Sequence, residues 1–149
     1  MKTSVRSQPV EILLVEDNPG DVRLTMEAFK EAGADDTINV VANGVEALTY
    51  LRGEGDGRKR FRPDLIVLDL NLPKKDGREL LREIKGDPDL CVIPVVVLTS
   101  SRAGEDVDAA YRLHANCYIT KPPDVEEFMR VVQSIRDFWL GVATLPAGY

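Results

Sequence analysis

Leu65-Ile66-Val67-Leu68-Asp69-Leu70-Asn71-Leu72 decides how this chain folds. Four consecutive apolar residues fit a strand covered on both faces, as strands of a parallel sheet are. Asp69 then interrupts the run at a place where an unpaired carboxylate would be costly to bury. Three other stretches repeat the plan. Val10-Glu11-Ile12-Leu13-Leu14-Val15 runs into Glu16-Asp17, Pro94-Val95-Val96-Val97-Leu98 into Thr99, and Cys117-Tyr118-Ile119-Thr120 into Lys121-Pro122. As parallel strands of one sheet, these runs would gather their terminal polar residues at the carboxyl edge, where open α/β sheets bind ligands.

The intervening segments read as helices. Asn18-Pro19-Gly20-Asp21 starts one, with Pro19 suited to the first turn, Val22, Met26 and Phe29 on its apolar face, and Gly33 as its stop. A short strand is expected over 38–42. Asn43-Gly44-Val45-Glu46 then reads as a capping box for a helix carrying Ala47, Leu48 and Leu51. Leu80, Leu81 and Ile84 mark a third helix, closed by Asp87-Pro88-Asp89, and Val107, Ala110 and Leu113 a fourth, with His114 as a favourable dipole partner at its end. Asp124-Val125-Glu126-Glu127 opens the last, with Phe128, Met129, Val132, Ile135 and Trp139 at helical spacing. Five βα units follow, and the expected fold is a doubly wound five-stranded parallel α/β sheet. The order 2-1-3-4-5, helices on both faces, needs only right-handed crossovers. Residues 1–9 read as a flexible leader, 10–137 as the domain and 138–149 as a C-terminal extension.

A chain of 149 residues is long enough to bury one core, and its net charge of −6 argues against nucleic acid as a partner. The run Arg58-Lys59-Arg60-Phe61-Arg62 sits between Gly-rich residues and Pro63 and reads as a solvated loop tip. Met1 to Gln8 carries no apolar signal region, and the longest apolar stretch is far short of a membrane span. The expectation is a cytoplasmic protein with Cys91 and Cys117 as reduced, packing thiols and no zinc spacing.

The strand-end residues suggest a chemistry. Clustered acids must relieve their repulsion through raised pKa values or a bound cation, and Mg2+ suits carboxylate and carbonyl oxygens completed by a substrate phosphate. Asp69 could then attack phosphorus as a nucleophile, with Lys121 offsetting charge on the transferring group. Each residue alone has an ordinary explanation: Glu16-Asp17 and Thr99 as helix caps, Asp69 as a turn cap, Lys121 as a solvated lysine. One site explains all four together.

These stretches, Leu13-Leu14-Val15-Glu16-Asp17-Asn18, Asp69-Leu70-Asn71-Leu72-Pro73, Val97-Leu98-Thr99-Ser100 and Tyr118-Ile119-Thr120-Lys121-Pro122, resemble the response-regulator receiver domains of two-component signalling. The likeness runs from Val10 to Arg136. Residues 15–24 and 115–122 are closer still to the stand-alone regulators that partner bacterial phytochromes and similar sensor kinases. The resemblance implies Asp69 as phosphoacceptor, Asp17 as a direct Mg2+ ligand, Glu16 acting through a coordinated water and the Asn71 main-chain oxygen as a further ligand. It also implies Lys121 and Thr99 as phosphoryl contacts, Tyr118 as the switch aromatic turning inward as Thr99 moves, and a cis bond before Pro122. The implied partners are a sensor histidine kinase, or His-phosphotransfer proteins on either side in a phosphorelay. The implied output is a changed surface of helix 4, strand 5 and helix 5, with no enzyme activity beyond the protein's own phosphorylation and dephosphorylation.

Three rivals share parts of this pattern. A flavin protein of this topology needs a Ser/Thr/Gly-rich phosphate loop where Glu16-Asp17 stands, and aspartyl-phosphate phosphatases with paired acids read Asp-x-Asp where this chain has Asp69-Leu70-Asn71. A phosphorylation-independent scaffold remains open. The apolar tail Phe138-Trp139-Leu140, Val142, Leu145 and Tyr149 is expected either to cap its own chain or to form a homodimer interface on the C-terminal side.

Overall fold

The computed structural model of the chain describes residues 10–31, 36–53 and 62–146. The flexible leader, the Gly33 helix stop, most of the basic loop and Tyr149 lie outside the described residues. Five strands, β1 (Glu11–Val15), β2 (Thr37–Val41), β3 (Leu65–Leu68), β4 (Val95–Thr99) and β5 (Cys117–Thr120), alternate with α1 (Pro19–Glu31), α2 (Gly44–Arg52), α3 (Gly77–Gly86), α4 (Gly104–Arg112) and α5 (Val125–Arg136). All pairings are parallel and the order is β2-β1-β3-β4-β5, as the right-handed crossovers require.

Period-2 alternation along the three central strands explains why their apolar runs are continuous. Leu13, Val15, Ile66, Leu68, Val95 and Val97 point to one face, where α2, α3 and α4 contribute Leu48, Leu51, Leu80, Leu81, Ile84 and Ala110. Ile12, Leu14, Leu65, Val67, Val96 and Leu98 point to the other, against Ala28 and Phe29 of α1 and Phe128, Val132 and Ile135 of α5. The sheet thus separates two cores, and every residue of β3 and β4 is buried.

Helix ends follow sequence signals with local corrections. Asn43 caps α2, its side-chain oxygen accepting from the Glu46 N–H at 2.9 Å; Glu46 reaches back to the Ala42 N–H at 3.0 Å rather than to Asn43 itself. Asp76 and Glu79 form a full capping box on α3, a pairing the sequence reading passed over. α4 is the weakly held helix. Its N-cap, Ala103, makes no side-chain hydrogen bond, and Ala110 is its one buried residue. His114 lies beyond the last turn in the left-handed region (φ 74°), its N–H donating to Tyr111 O at 2.9 Å, so its exposed ring is placed by a turn and not by the helix.

Past Arg136 the regular helix gives way to a wider π-type turn over Asp137–Val142, closed by the Ala143 N–H on Phe138 O at 2.7 Å. Leu140 is buried, and Trp139 and Leu145 pack on the α1–α5 core, while Phe138 and Val142 remain exposed. The extension therefore caps its own chain and still presents two apolar side chains to solvent.

One close approach ties α3 to the loop after β3. The Gly77 N–H donates to Leu70 O at 2.9 Å, and a Cβ built there would lie 2.5 Å from both Asp69 O and Leu70 Cα. These obstacles are backbone atoms, so a methyl group forces the Asp69 loop and the α3 start apart. Gly77→Ala should lower the unfolding free energy by about 1–3 kcal/mol, read from urea denaturation, and displace Asp69 from its neighbours.

Candidate functional site

Strand register delivers the polar residues to one edge. Val15 pairs with Leu68, Leu68 with Val97 and Thr99 with Thr120, so the next residues emerge side by side. Main-chain bonds then fix their starting points: Glu16 N–H to Val41 O and Asp69 N–H to Val15 O, both 3.0 Å, and Lys121 N–H to Thr99 O at 2.7 Å. All four strand ends that the sequence reading singled out meet here.

Glu16, Asp17 and Asp69 each offer a carboxylate oxygen within 4.8 Å of the others, the only such group of potential metal-binding side chains among the described residues. Glu16 and Asp69 are buried and Asp17 is exposed. Lys121 binds this cluster through its ammonium: Nζ lies 2.7 Å from Glu16 Oε1, 2.7 Å from Asp21 Oδ2 and 3.1 Å from Asp69 Oδ2. The remaining oxygens are also engaged, Glu16 Oε2 by the Asn18 N–H at 3.1 Å and Asp69 Oδ1 by the Asn71 N–H at 3.2 Å. Asp21 is the member the sequence reading took only as a helix start. Its spacing of four from Asp17 in the first turn of α1 was the available signal, since i and i+4 share a helix face.

Burial raises the Glu16 pKa from the usual 4.5 to about 7, with the Asp69 charge adding to the effect and the Lys121 hydrogen bond opposing it. Burial disfavours the Lys121 charge, but its bonds to Asp21 and Glu16 and the Asp69 field outweigh that and hold the ammonium above the usual lysine range. The site is thus a buried cation held by an excess of carboxylates, and further positive charge there would be stabilising.

Thr99 is fully buried and its hydroxyl has no hydrogen-bond partner within the described residues. A buried hydroxyl without a partner is uncommon and costs free energy. Beyond it, Tyr118 donates its phenolic hydrogen to Ser101 O at 2.9 Å, and Tyr111 Oη accepts from the Tyr118 N–H at 3.2 Å. Ser101 Oγ bonds Asp106 at 2.5 Å, and Asp106 pairs with Arg78 of α3 at 2.6 Å. The segment after Thr99 is therefore tied to both β5 and α3.

The expected cis bond before Pro122 is not present; among the described residues every peptide bond is trans, the isomer that X–Pro bonds favour by about 0.5–1 kcal/mol. The long lysine stem reaches all three carboxylates from the trans backbone. Cys117 is half-buried and burial raises its thiol pKa, which keeps it in the unreactive thiol form. Lys85, outside the site, is consumed in structure, donating to Cys91 O and Ile93 O at 3.0 and 2.8 Å.

A five-stranded 2-1-3-4-5 sheet with paired acids, an aspartate, a threonine and a lysine at successive strand ends defines a response regulator receiver domain, and the model of that family matches residues 12–133. The chain belongs to this family and is a receiver-domain response regulator of two-component signalling. It is 50% identical over 139 residues, 93% of this chain and 95% of the relative, to the response regulator Rcp1 of Synechocystis sp.. Its fold superimposes with a TM-score of 0.91 on the phosphorylated cyanobacterial phytochrome response regulator RcpA, at 50% identity and covering 94% of this chain and all of that one. The Mn2+-bound form of Rcp1 gives a TM-score of 0.89 at 50% identity, covering 93% of this chain and all of that one. Among the described residues no helix is long and apolar enough to cross a membrane.

The Glu16 shift makes a prediction about stability. Folding raises this pKa, so the stability linked to its proton is full below pH 4.5 and is lost as the pH rises through about 7. In metal-free buffer at about pH 8, Glu16→Gln should be more stable than the wild type by roughly 2–3 kcal/mol, the gap closing toward acid pH. Urea denaturation at the two pH values would show it, and equal stabilities at high pH would contradict it.

Proposed function

We propose that this chain accepts a phosphoryl group on Asp69 from a sensor histidine kinase, with Mg2+ held by Glu16, Asp17, Asp69 and the main-chain oxygen of Asn71. The observation that carries the reading is the convergence of three carboxylates and the Lys121 ammonium on one sheet edge beside a buried, unpaired Thr99 hydroxyl. The donors are hard oxygens of the kind Mg2+ prefers, and the Mn2+ bound by Rcp1 supports a divalent ion in this position. When bound, such an ion neutralises charge on the carboxylates and on the transferring phosphoryl oxygens.

In the reaction an Asp69 oxygen attacks phosphorus, the bond from phosphorus to the donor imidazole nitrogen breaks, and the imidazole leaves with the electron pair and takes up a proton. Lys121 holds Asp69 in place beforehand and offers hydrogen bonds to the phosphoryl oxygens afterwards. Thr99 gains the acceptor its hydroxyl lacks by turning toward the phosphoryl group. Because these contacts exist in one state only, they bias the arrangement of the residues after Thr99 and of Tyr118, and hence the surface of α4, β5 and α5. The kinship to a phytochrome response regulator favours a phytochrome-type kinase as donor. Phospho-Asp69 formation and its hydrolysis are the extent of the chemistry.

We further propose homodimerisation through the C-terminal side. Phe138 and Val142 are 50% and 74% exposed on a turn whose other apolar residues are packed, so they are free to meet a second copy. Phe138→Glu with Val142→Glu should leave folding intact and reduce the mass seen in sedimentation from dimer to monomer; an unchanged mass would remove this interface.

The central test is incubation with acetyl phosphate and Mg2+ followed by intact-mass measurement. Wild type and Thr99→Ala should each acquire one hydroxylamine-labile phosphoryl group, and Asp69→Asn none. Modification should alter the Tyr118 environment, followed by 19F resonance of fluorotyrosine, in the wild type and not in Thr99→Ala. An adduct that persists in Asp69→Asn, or an equal tyrosine response in both proteins, would refute the assignment.

A further inference from the structure

Lys121 has three ammonium hydrogens and no other hydrogen-bonding capacity, and all three have acceptors: Glu16, Asp21 and Asp69. A phosphoryl oxygen on Asp69 can bond this ammonium only if one acceptor gives way. The three differ in what that costs. The side chains of Glu16 and Asp69 are 4% and 7% exposed, and an unpaired carboxylate so deep is heavily penalised. Asp21 is 27% exposed, on the first turn of α1 at the rim of the site, where water can replace the lysine.

We propose that Asp21 is a positioning residue that competes with the phosphoryl group for the Lys121 ammonium and so weakens the phosphorylated state. This deepens the reading of Asp69 as phosphoacceptor and rests on it. In the unmodified protein Asp21 shares the ammonium with Asp69, at 2.7 Å against 3.1 Å. On modification Asp21 releases its hydrogen bond, rehydrates, and Lys121 turns to the phosphoryl oxygen. The stronger the Asp21 bond, the less of the lysine's interaction appears as net stabilisation of the modified state.

The competition differs from a plain charge effect. Removing an exposed negative charge near an anion site also raises anion affinity, but that gain is screened by salt, whereas a bond exchanged one for one at a part-buried lysine is far less so. The probe is beryllofluoride, a tetrahedral phosphoryl mimic, titrated with Mg2+ into the full chain and followed by 19F resonance. Asp21→Ala should bind it about tenfold more tightly than wild type, and the ratio should hold between about 0.05 and 0.5 M NaCl. The 15N resonance of the Lys121 ammonium should shift on beryllofluoride binding in the wild type more than in Asp21→Ala, where the ammonium is already released from Asp21. Equal affinities, a gain that vanishes at high salt, or weaker binding by the variant would each overturn the proposal while leaving Asp69 as the acceptor. Absence of any binding by the wild type would instead remove the phosphoacceptor reading and this inference with it. A urea midpoint for Asp21→Ala reports any merely structural role separately, since that would shift stability and not the affinity ratio.

Discussion

The Lys121 ammonium, seated among Glu16, Asp21 and Asp69, is the interaction on which the working edge of this protein depends. Two of those acids are buried at adjoining strand ends, where uncompensated like charges would drive the edge apart or force protonation. The lysine comes from the far side of Thr99, across the β3–β4–β5 part of the sheet. It therefore joins the first strand to the last by a contact spanning 105 residues. It offsets the acid charge incompletely, which is why Glu16 retains a raised pKa and why a divalent cation has something to gain by binding.

Much of this was legible in the sequence because the physics is local. A strand buried on both faces must be apolar at consecutive positions, and a polar residue closing such a run is visible as an interruption; Glu16, Asp69, Thr99 and Lys121 all announce themselves so. The 2-1-3-4-5 order follows from crossover handedness. What could not be read depends on where side chains turn. Asp21 looked like an ordinary first-turn acid because nothing in its neighbourhood reveals that a lysine a hundred positions later will reach it. The left-handed His114 and the α3 capping box depend on backbone angles that several sequences adopt, and the trans bond before Pro122 reflects a small free-energy difference that motif likeness does not resolve. The π-type turn after Arg136 preserves the helical apolar spacing closely enough that the sequence reads as one continuing helix.

The segment after Thr99 stands between two kinds of restraint. Its main chain is anchored at the start, since Thr99 O accepts the Lys121 N–H, and held further on through Ser101, Asp106 and Arg78. Between them the Thr99 hydroxyl is buried without a partner. In the proposed mechanism the side chain can turn without unzipping the β4–β5 ladder, and the Tyr118 contact to Ser101 O carries that turn toward the partner-facing surface.

α4 gives this its energy scale. A helix that buries one alanine and lacks a side-chain cap sits at the compliant end of the molecule, whereas α3 is nailed down by Leu80, Leu81 and Ile84 and a full capping box. Shifting a rigid helix would demand more free energy than a few new hydrogen bonds at a phosphoryl group can deliver, which for coupled sites is typically about 1–3 kcal/mol. Weak anchoring brings the cost of moving α4 within that range. The looseness of this one helix is thus a design tolerance: filling its interface with larger apolar residues would make a sturdier protein and a deaf one.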